Sequence, residues 1–286
     1  MLLLYCNGVN KGLSFYLTAL CCYVYIKVMF DVILLSLIQS ATEFLPVSSS
    51  GHLILAEAFG LSDQTLTMDV ALHFGTLLAV LAYFHKDVWA MFIGLFRKGP
   101  ARDLIVKLMI GVLPIIIVGY FLHDIVETLF RSPVLIAFTS IFYGILLWWV
   151  DKVCPKNRDI AGLSYKGAFI IGCAQILALV PGTSRSGITM TCARFLRLSR
   201  TESARFSMLL SIPTIALGAL YQAYVSYRAE GLSQIMSPDI LWGVGLSGLF
   251  GLLAVWFLMS WVKKASFAIF AVYRVVLGIF LLIWFL

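Results

Sequence analysis

Residues 39–52 read QSATEFLPVSSSGH and residues 175–188 read QILALVPGTSRSGI. Gln39 and Glu43 stand four positions apart, which puts an amide and a carboxylate on one face of a helix. Ser48, Ser49, Ser50, Gly51 and His52 follow. Such a hydroxyl run can cap the next helix, whose free N–H groups suit an anion. His52, one turn from Ser49 and near Glu43, is a candidate acid, base or nucleophile. The second stretch sets Arg185 among Thr183, Ser184, Ser186 and Thr189, with Gly182 and Gly187 permitting close backbone approach. A guanidinium at membrane depth wants an anion, and its fork matches phosphate oxygens. Carboxylate, hydroxyls, imidazole, arginine and two helix starts are equipment for phosphoryl transfer from a substrate whose remainder lies in lipid. Plainer readings stand beside this one. Ser48 and Ser50 serve equally as simple caps, His52 alone would read as a core histidine, and Glu43 and Arg185 can pair with each other.

The elements that must position these residues are apolar. Of 286 residues 61% are hydrophobic and 12% charged, against about half and about a quarter in a soluble domain. A polytopic membrane protein is the class this implies. The formal charge of +7 belongs to loops between apolar spans rather than to a nucleic-acid surface, so no nucleic-acid partner is expected. The six cysteines form no C-x-x-C pair and read as small core residues. A spanning helix needs about 20 apolar residues. Segments 70–85, 104–122, 133–150, 206–225, 239–262 and 266–286 qualify or nearly do. Segments 29–45 with 52–60, and 166–180 with 187–196, are each interrupted by a Pro/Gly/Ser cluster. Irregular backbone at membrane depth is tolerated where protein buries it or it lines a wet cavity. The expected fold is therefore all-α, with six transmembrane helices plus two re-entrant helix–loop–helix hairpins.

Loop charge orients the bundle. Lys86, Arg97, Lys98 and Arg102 follow the first span, basic residues crowd 151–205, and Lys263 with Lys264 follow the fifth. The positive-inside rule places these in the cytoplasm, so the hairpins dip from opposite faces and the cavity opens on the outer side. The hairpins also resemble each other. At an offset of 136, Gln39, Ser48, Ser50 and Gly51 meet Gln175, Ser184, Ser186 and Gly187. Each hairpin is followed by three spans, which predicts an inverted-topology repeat (about 29–150 and 160–286) with the site at its interface.

QSATEFLPVSSSGH resembles the acidic and P-V-S-S-[S/T]-G-H signature of the undecaprenyl-diphosphate phosphatases of the bacitracin-resistance type, and PGTSRSGIT resembles their P-G-x-S-R-S-G-x-T motif. LHFGTLLAV, ARFSMLLSIP and YRVVLG are similar to later segments, so the resemblance runs from about Met29 to the C-terminus. It implies hydrolysis of undecaprenyl diphosphate to the monophosphate and inorganic phosphate, recycling the carrier for peptidoglycan and other wall glycans and conferring bacitracin resistance. It implies a bacterial cytoplasmic (inner) membrane location, and leaves homodimer formation open. By the same resemblance, Gln39 and Glu43 lie in a motif associated with Mg²⁺ or Ca²⁺. Ser49 and His52 are implicated in attack or proton transfer, with water a third candidate nucleophile, and Arg185 binds diphosphate. Ser48, Ser50, Gly51, Gly182, Thr183, Ser184, Ser186, Gly187 and Thr189 complete the expected substrate-binding set. Gln39 departs from the glutamate many relatives have, leaving one carboxylate there.

Other residues have weaker readings. His73 and Thr76 line the cavity or merely bond between helices. Asp69 orients the site or starts a helix, and Arg274 is expected to snorkel to the cytosolic interface. Residues 1–28 read as an apolar extension outside the 29–286 domain, either a peripheral anchor or a matter of start-site choice. Two rivals compete. A polyprenyl-phosphate flippase would use the same repeat and cavity without needing Glu43, Ser49 and His52 within reach of one another. A phosphatase of the phosphatidic-acid type needs a second histidine after its S-R motif, and no histidine follows Arg185.

Overall fold

A backbone in hydrocarbon has to satisfy its own N–H and C=O groups, and helices do so locally. The computed structural model describes residues 11–49, 51–52, 56, 65–129, 132–230 and 237–286. Ser50 and most of segment 52–60 lie outside the described residues. Ten helices are described: α1 Lys11–Phe44, α2 Leu66–Tyr83, α3 His85–Gly94, α4 Pro100–Leu129, α5 Pro133–Val153, α6 Tyr165–Ile176, α7 Arg185–Phe195, α8 Arg200–Glu230, α9 Pro238–Lys264 and α10 Ala268–Phe285. Six helical stretches among them are long and apolar enough to cross a membrane: Tyr25–Phe44, Pro100–Leu122, Pro133–Val153, Arg200–Arg228, Pro238–Lys264 and Ala268–Phe285. The chain is a polytopic membrane protein of helices.

The membership of that six differs from the sequence expectation at the N-terminal end. Segment 29–45, read as too short to cross alone, is the last part of one 34-residue helix that runs through Met29 without a break. The pattern-derived span 70–85 instead ends at Phe84, where α2 meets α3 at a bend of 82°. Charge explains the bend. His85, Lys86 and Asp87 open α3, and Asp87 pairs with Arg205 of α8, which draws the chain sideways.

Packing relies on small residues where helices meet closely, as lipid gives no hydrophobic drive for helix association. α9 lies against α1 and α2, α10 against α5, α6 against α4, and α8 against α2 and α7. Ser247 of α9 donates to Leu72 O at 2.6 Å, and its own carbonyl accepts from Ser40 at 2.9 Å, so one residue stitches three helices. Phe44, Leu147, Met190, Phe206, Met208 and Phe267 join one apolar core across both halves. At one end of the bundle Asp151 collects Arg194 Nε at 3.0 Å, Arg200 at 2.8 Å and the Phe267 N–H at 3.2 Å. Arg194 is fully buried, and its remaining N–H groups go to the carbonyls of Asp151, Cys154, Pro155 and Leu198.

Candidate active site

Two helix breaks bring the polar residues together. α1 ends at Phe44, and Leu45–Ser48 turns into helical Ser49, Gly51 and His52. α6 ends through a 3₁₀ turn at Leu177–Leu179, and Val180–Ser184 turns into α7. Pro46 and Pro181 lie within the turns, where a missing N–H is least missed. Each turn ends on a serine in the left-handed region, Ser48 at φ 80° and Ser184 at φ 67°. That conformation costs a non-glycine residue about 1–2 kcal/mol. In Ser184 it is offset by a cap, because its Oγ accepts the Gly187 N–H at 3.1 Å.

The two turns meet at an ion pair. Glu43, the penultimate residue of α1, accepts from Arg185 Nη2 at 2.5 Å through Oε1, with both side chains about nine-tenths buried at 13% and 14% exposure. Ser186 fastens the turns a second time, since its Oγ donates to Leu45 O at 3.0 Å. Its only proton being used there, the 3.2 Å contact with Ser184 has Ser184 as donor. Glu43 Oε2 receives the Gln39 amide at 3.4 Å, and that amide also approaches His73 Nε2 at 3.2 Å. His73 Nδ1 lies 2.9 Å from Asp69 O, and a carbonyl can only accept, so Nδ1 carries the proton and Nε2 is the acceptor. Gln39, Glu43 and His73 are thus one connected group.

Two donors of the second turn have no partner among the described residues. Arg185 Nη1 and Thr183 Oγ1 are both buried and unbonded. Such groups cost about 1–3 kcal/mol each when left unmade. Gly182 lets the turn press against α5. It adopts φ +88°, and a Cβ there would overlap Thr139 Oγ1 and the Ile136 carbonyl. Gly187 is needed for another close approach, since its Cβ would come within 2.8 Å of Arg274 Nη1. Gly51 is less constrained: its Cβ would meet Leu277, Ile136 and Leu281 at 3.4–3.6 Å. Thr189 is turned away from the ion pair, bonding Arg185 O at 2.9 Å and Ser207 Oγ of α8 at 2.7 Å. Ser49 opens the helix after the first turn and is partly exposed. His52 donates from Nδ1 to Ser48 O at 2.7 Å and meets the Tyr273 hydroxyl through Nε2 at 2.5 Å. Its hydrogen bonds go to these groups and not to Glu43 or Arg185. Ser50 lies outside the described residues.

Arg274 corrects one expectation. Instead of snorkelling it is fully buried in α10, where Nη2 donates to Gly182 O at 2.8 Å and Nε to Ser140 O at 3.3 Å. Those carbonyls replace water for Nε and Nη2, while the buried Nη1 has no hydrogen-bond partner among the described residues. His73 is the residue sequence reasoning undervalued; its spacing of four from Asp69 was the available signal.

Among the described residues no three His, Cys, Asp or Glu side chains converge as a ready-made metal cluster. The lone-pair groups around Glu43 are its own carboxylate and Nε2 of His73, and Gln39 would add its amide oxygen only with the amide turned over from the orientation that donates to Glu43. The set suits a hard cation that takes most of its ligands from water and phosphate, as Mg²⁺ does.

Comparison with known sequences gives a consistent result. The profile of the family described as bacitracin resistance protein BacA matches residues 32–280. The undecaprenyl-diphosphatase of Alteromonas mediterranea is 40% identical over 264 residues, covering 90% of this chain and 98% of that protein. Undecaprenyl-diphosphatase 2 of Stutzerimonas stutzeri is 41% identical over 267 residues, covering 90% and 98%. That of Gemmatimonas aurantiaca is 42% identical over 259 residues, covering 88% and 96%. With both turns, their ion pair and nearly the whole helical bundle inside the matched region, the chain belongs to the BacA bacitracin-resistance family.

Proposed function

We propose that this protein hydrolyses undecaprenyl diphosphate to undecaprenyl phosphate and inorganic phosphate, returning the lipid carrier to peptidoglycan and wall-glycan synthesis and conferring bacitracin resistance. The observation that carries the reading is the pair of buried, unbonded donors, Arg185 Nη1 and Thr183 Oγ1, beside a guanidinium–carboxylate pair inside an apolar bundle. A terminal phosphate would satisfy both donors at once, and its isoprenoid chain would remain in lipid. Arg185 grips the phosphate through its fork, and the N–H groups opening α7 add partial positive charge. Ser48, Ser184 and Ser186 set the backbone of the turns around it.

The nucleophile forms a bond to the terminal phosphorus while the bond from that phosphorus to the bridging oxygen breaks; with water this gives inorganic phosphate directly, and with a side chain a second attack by water breaks the bond from phosphorus to that side chain and releases the phosphate. The bridging oxygen leaves on the lipid monophosphate. Ser49, His52 and water remain the candidate nucleophiles, and His52 Nε2 is the acceptor for the proton of an attacking hydroxyl. Magnesium or calcium, held by Glu43 with Gln39 and His73 beside it, would supply charge neutralisation on the diphosphate. Glu43 otherwise keeps Arg185 oriented until substrate arrives.

The two turns are read as tips of re-entrant hairpins in an inverted repeat. Supporting this, Ser48 and Ser184 share a left-handed φ at an offset of 136. Shifted by the same 136, Leu66, Pro100 and Pro133 fall within two residues of the starts of α8, α9 and α10. Partners are exchanged between the halves as well: α1 lies on α9, while α6 lies on α4. The protein is read as residing in the inner membrane, and loop charge supports a cavity that opens outward. Labelling of single-cysteine variants near Ser62 by an impermeant reagent in intact cells tests that orientation; labelling only in inverted vesicles reverses it. Residues 29–286 are read as the catalytic unit, so a chain starting at Met29 should insert and hydrolyse normally. The deciding experiment is phosphate release from undecaprenyl diphosphate by purified protein in detergent. Release supports the reading, whereas lipid transfer between leaflets without release assigns a flippase.

A further inference from the structure

α10 carries Tyr273 and Arg274 side by side, and the two residues reach opposite turns. Arg274 holds the second turn through Gly182 O, as described. Tyr273 reaches the first: its hydroxyl is 2.5 Å from His52 Nε2, with the ring planes nearly parallel at 5° and their centroids 5.6 Å apart. The other ring nitrogen is fixed by Ser48 O at 2.7 Å. A carbonyl only accepts, so Nδ1 carries the proton, Nε2 presents its lone pair, and Tyr273 is the donor. Both edges of the imidazole are thereby specified, one by backbone and one by a residue 221 positions away.

We propose that Tyr273 is a positioning residue that fixes the tautomer and ring orientation of His52, standing in for the attacking hydroxyl until substrate displaces it. The proposal deepens the phosphatase reading and rests on His52 acting there as proton acceptor. The Tyr273 hydroxyl offers the lone pair the same kind of donor that the reacting O–H will offer. On displacement no net proton is exchanged: the phenol keeps its hydrogen, and Nε2 then takes the one from the attacking oxygen. Tyr273 is 45% exposed and so has room to withdraw. Ser48, strained at φ 80°, aims its carbonyl at Nδ1, so the first turn's unusual backbone has a use in this scheme. A general base misaligned or in the wrong tautomer loses its contribution while substrate binding is untouched.

The test is Tyr273→Phe in the purified full chain, which keeps the ring and removes only the donor. Turnover and KM are measured by phosphate release, and the imidazole nitrogens are read by ¹⁵N NMR in protein labelled at histidine. The chain has four histidines, and a His52→Gln sample identifies the resonance. The expected result is a fall in kcat of about tenfold, a part of the roughly 10²–10⁴ a positioned base contributes. KM should stay within about twofold, and the His52 nitrogens should move from the Nδ1–H pattern toward a tautomer mixture. Wild-type kcat in Tyr273→Phe overturns the proposal. A lower kcat with an unchanged His52 spectrum also overturns it, because the tyrosine would then act by packing or directly on substrate. A wild-type chain that releases no phosphate defeats the functional reading itself. Wild-type release with a silent Tyr273→Phe defeats only the proposal.

Discussion

The first and second turns share a backbone plan and differ in what that plan presents. Both follow a helix end with a proline, a serine in left-handed conformation that opens a Ser-x-Ser-Gly sequence, and a new helix. The first delivers Glu43 and His52, groups that accept protons or positive charge. The second delivers Arg185 and Thr183, groups that donate. Their surroundings differ as well. The second turn is tied at Pro181 O by Thr139, at Gly182 O by Arg274 and at Ser186 by Leu45 O. For the first turn the ties are that same Leu45 contact, the Glu43–Arg185 pair and the His52 bonds to Ser48 and Tyr273. Two turns of one backbone plan can therefore divide labour: in the proposed reaction the second would hold an anion rigidly, and the first would bring the groups that move protons.

The sharpest way to break this division is at its charged centre. Arg185→Lys should lower phosphate release by about 10²–10³, because a point charge cannot replace a fork on phosphate. Retention of activity within tenfold would mean the second turn is not the anion-holding half. Next comes rigidity. Gly182→Ala should destabilise by about 3 kcal/mol, combining overlap with α5 and a left-handed φ. Gly51→Ala should cost under about 1 kcal/mol, its Cβ meeting only ordinary contacts. Thermal unfolding in detergent compares the two, and equal losses would erase the asymmetry. Thr183→Val should raise KM about tenfold, the loss of one hydrogen bond to a charged group, and leave the melting temperature unchanged, since Thr183 Oγ1 has no hydrogen-bond partner among the described residues. A drop in melting temperature without a KM effect would make that hydroxyl structural. The smallest effect is at the cap: Ser184→Ala should cost about 1 kcal/mol, and Ser184→Gly only a few tenths. Glycine loses the cap but also relieves the φ strain.

Much of the chemistry was legible because polar residues are rare in an apolar chain and each interruption announces itself. The ion pair between Glu43 and Arg185 could be written down from composition alone. Tertiary override hid the rest. Arg274 belongs to a segment whose end approaches a charged loop, and nothing local says that Ser140 and Gly182 carbonyls will receive it. The bend at Phe84 has neither glycine nor proline to mark it, and depends on Arg205 in a distant helix. The unbroken run of α1 past Met29 was obscured by the strength of the motif that begins ten residues later. Tyr273 lay in a segment similar to the family's, but its contact to His52 joins opposite ends of the chain.

The Asp151 hub has a consequence for synthesis. Its carboxylate belongs to the last helix of the first half, and every partner comes from the second. Arg194 emerges 43 residues later, Arg200 49 and the Phe267 amide 116. The growing chain thus inserts an acid whose counter-ions have not yet been translated, and acquires them one at a time. The last bond closes only when α10 begins, and α10 is the helix that brings Tyr273 and Arg274 to the two turns. A ribosome-bound chain stopped before residue 267 would have its two halves paired by charge and its two turns still without Tyr273 and Arg274.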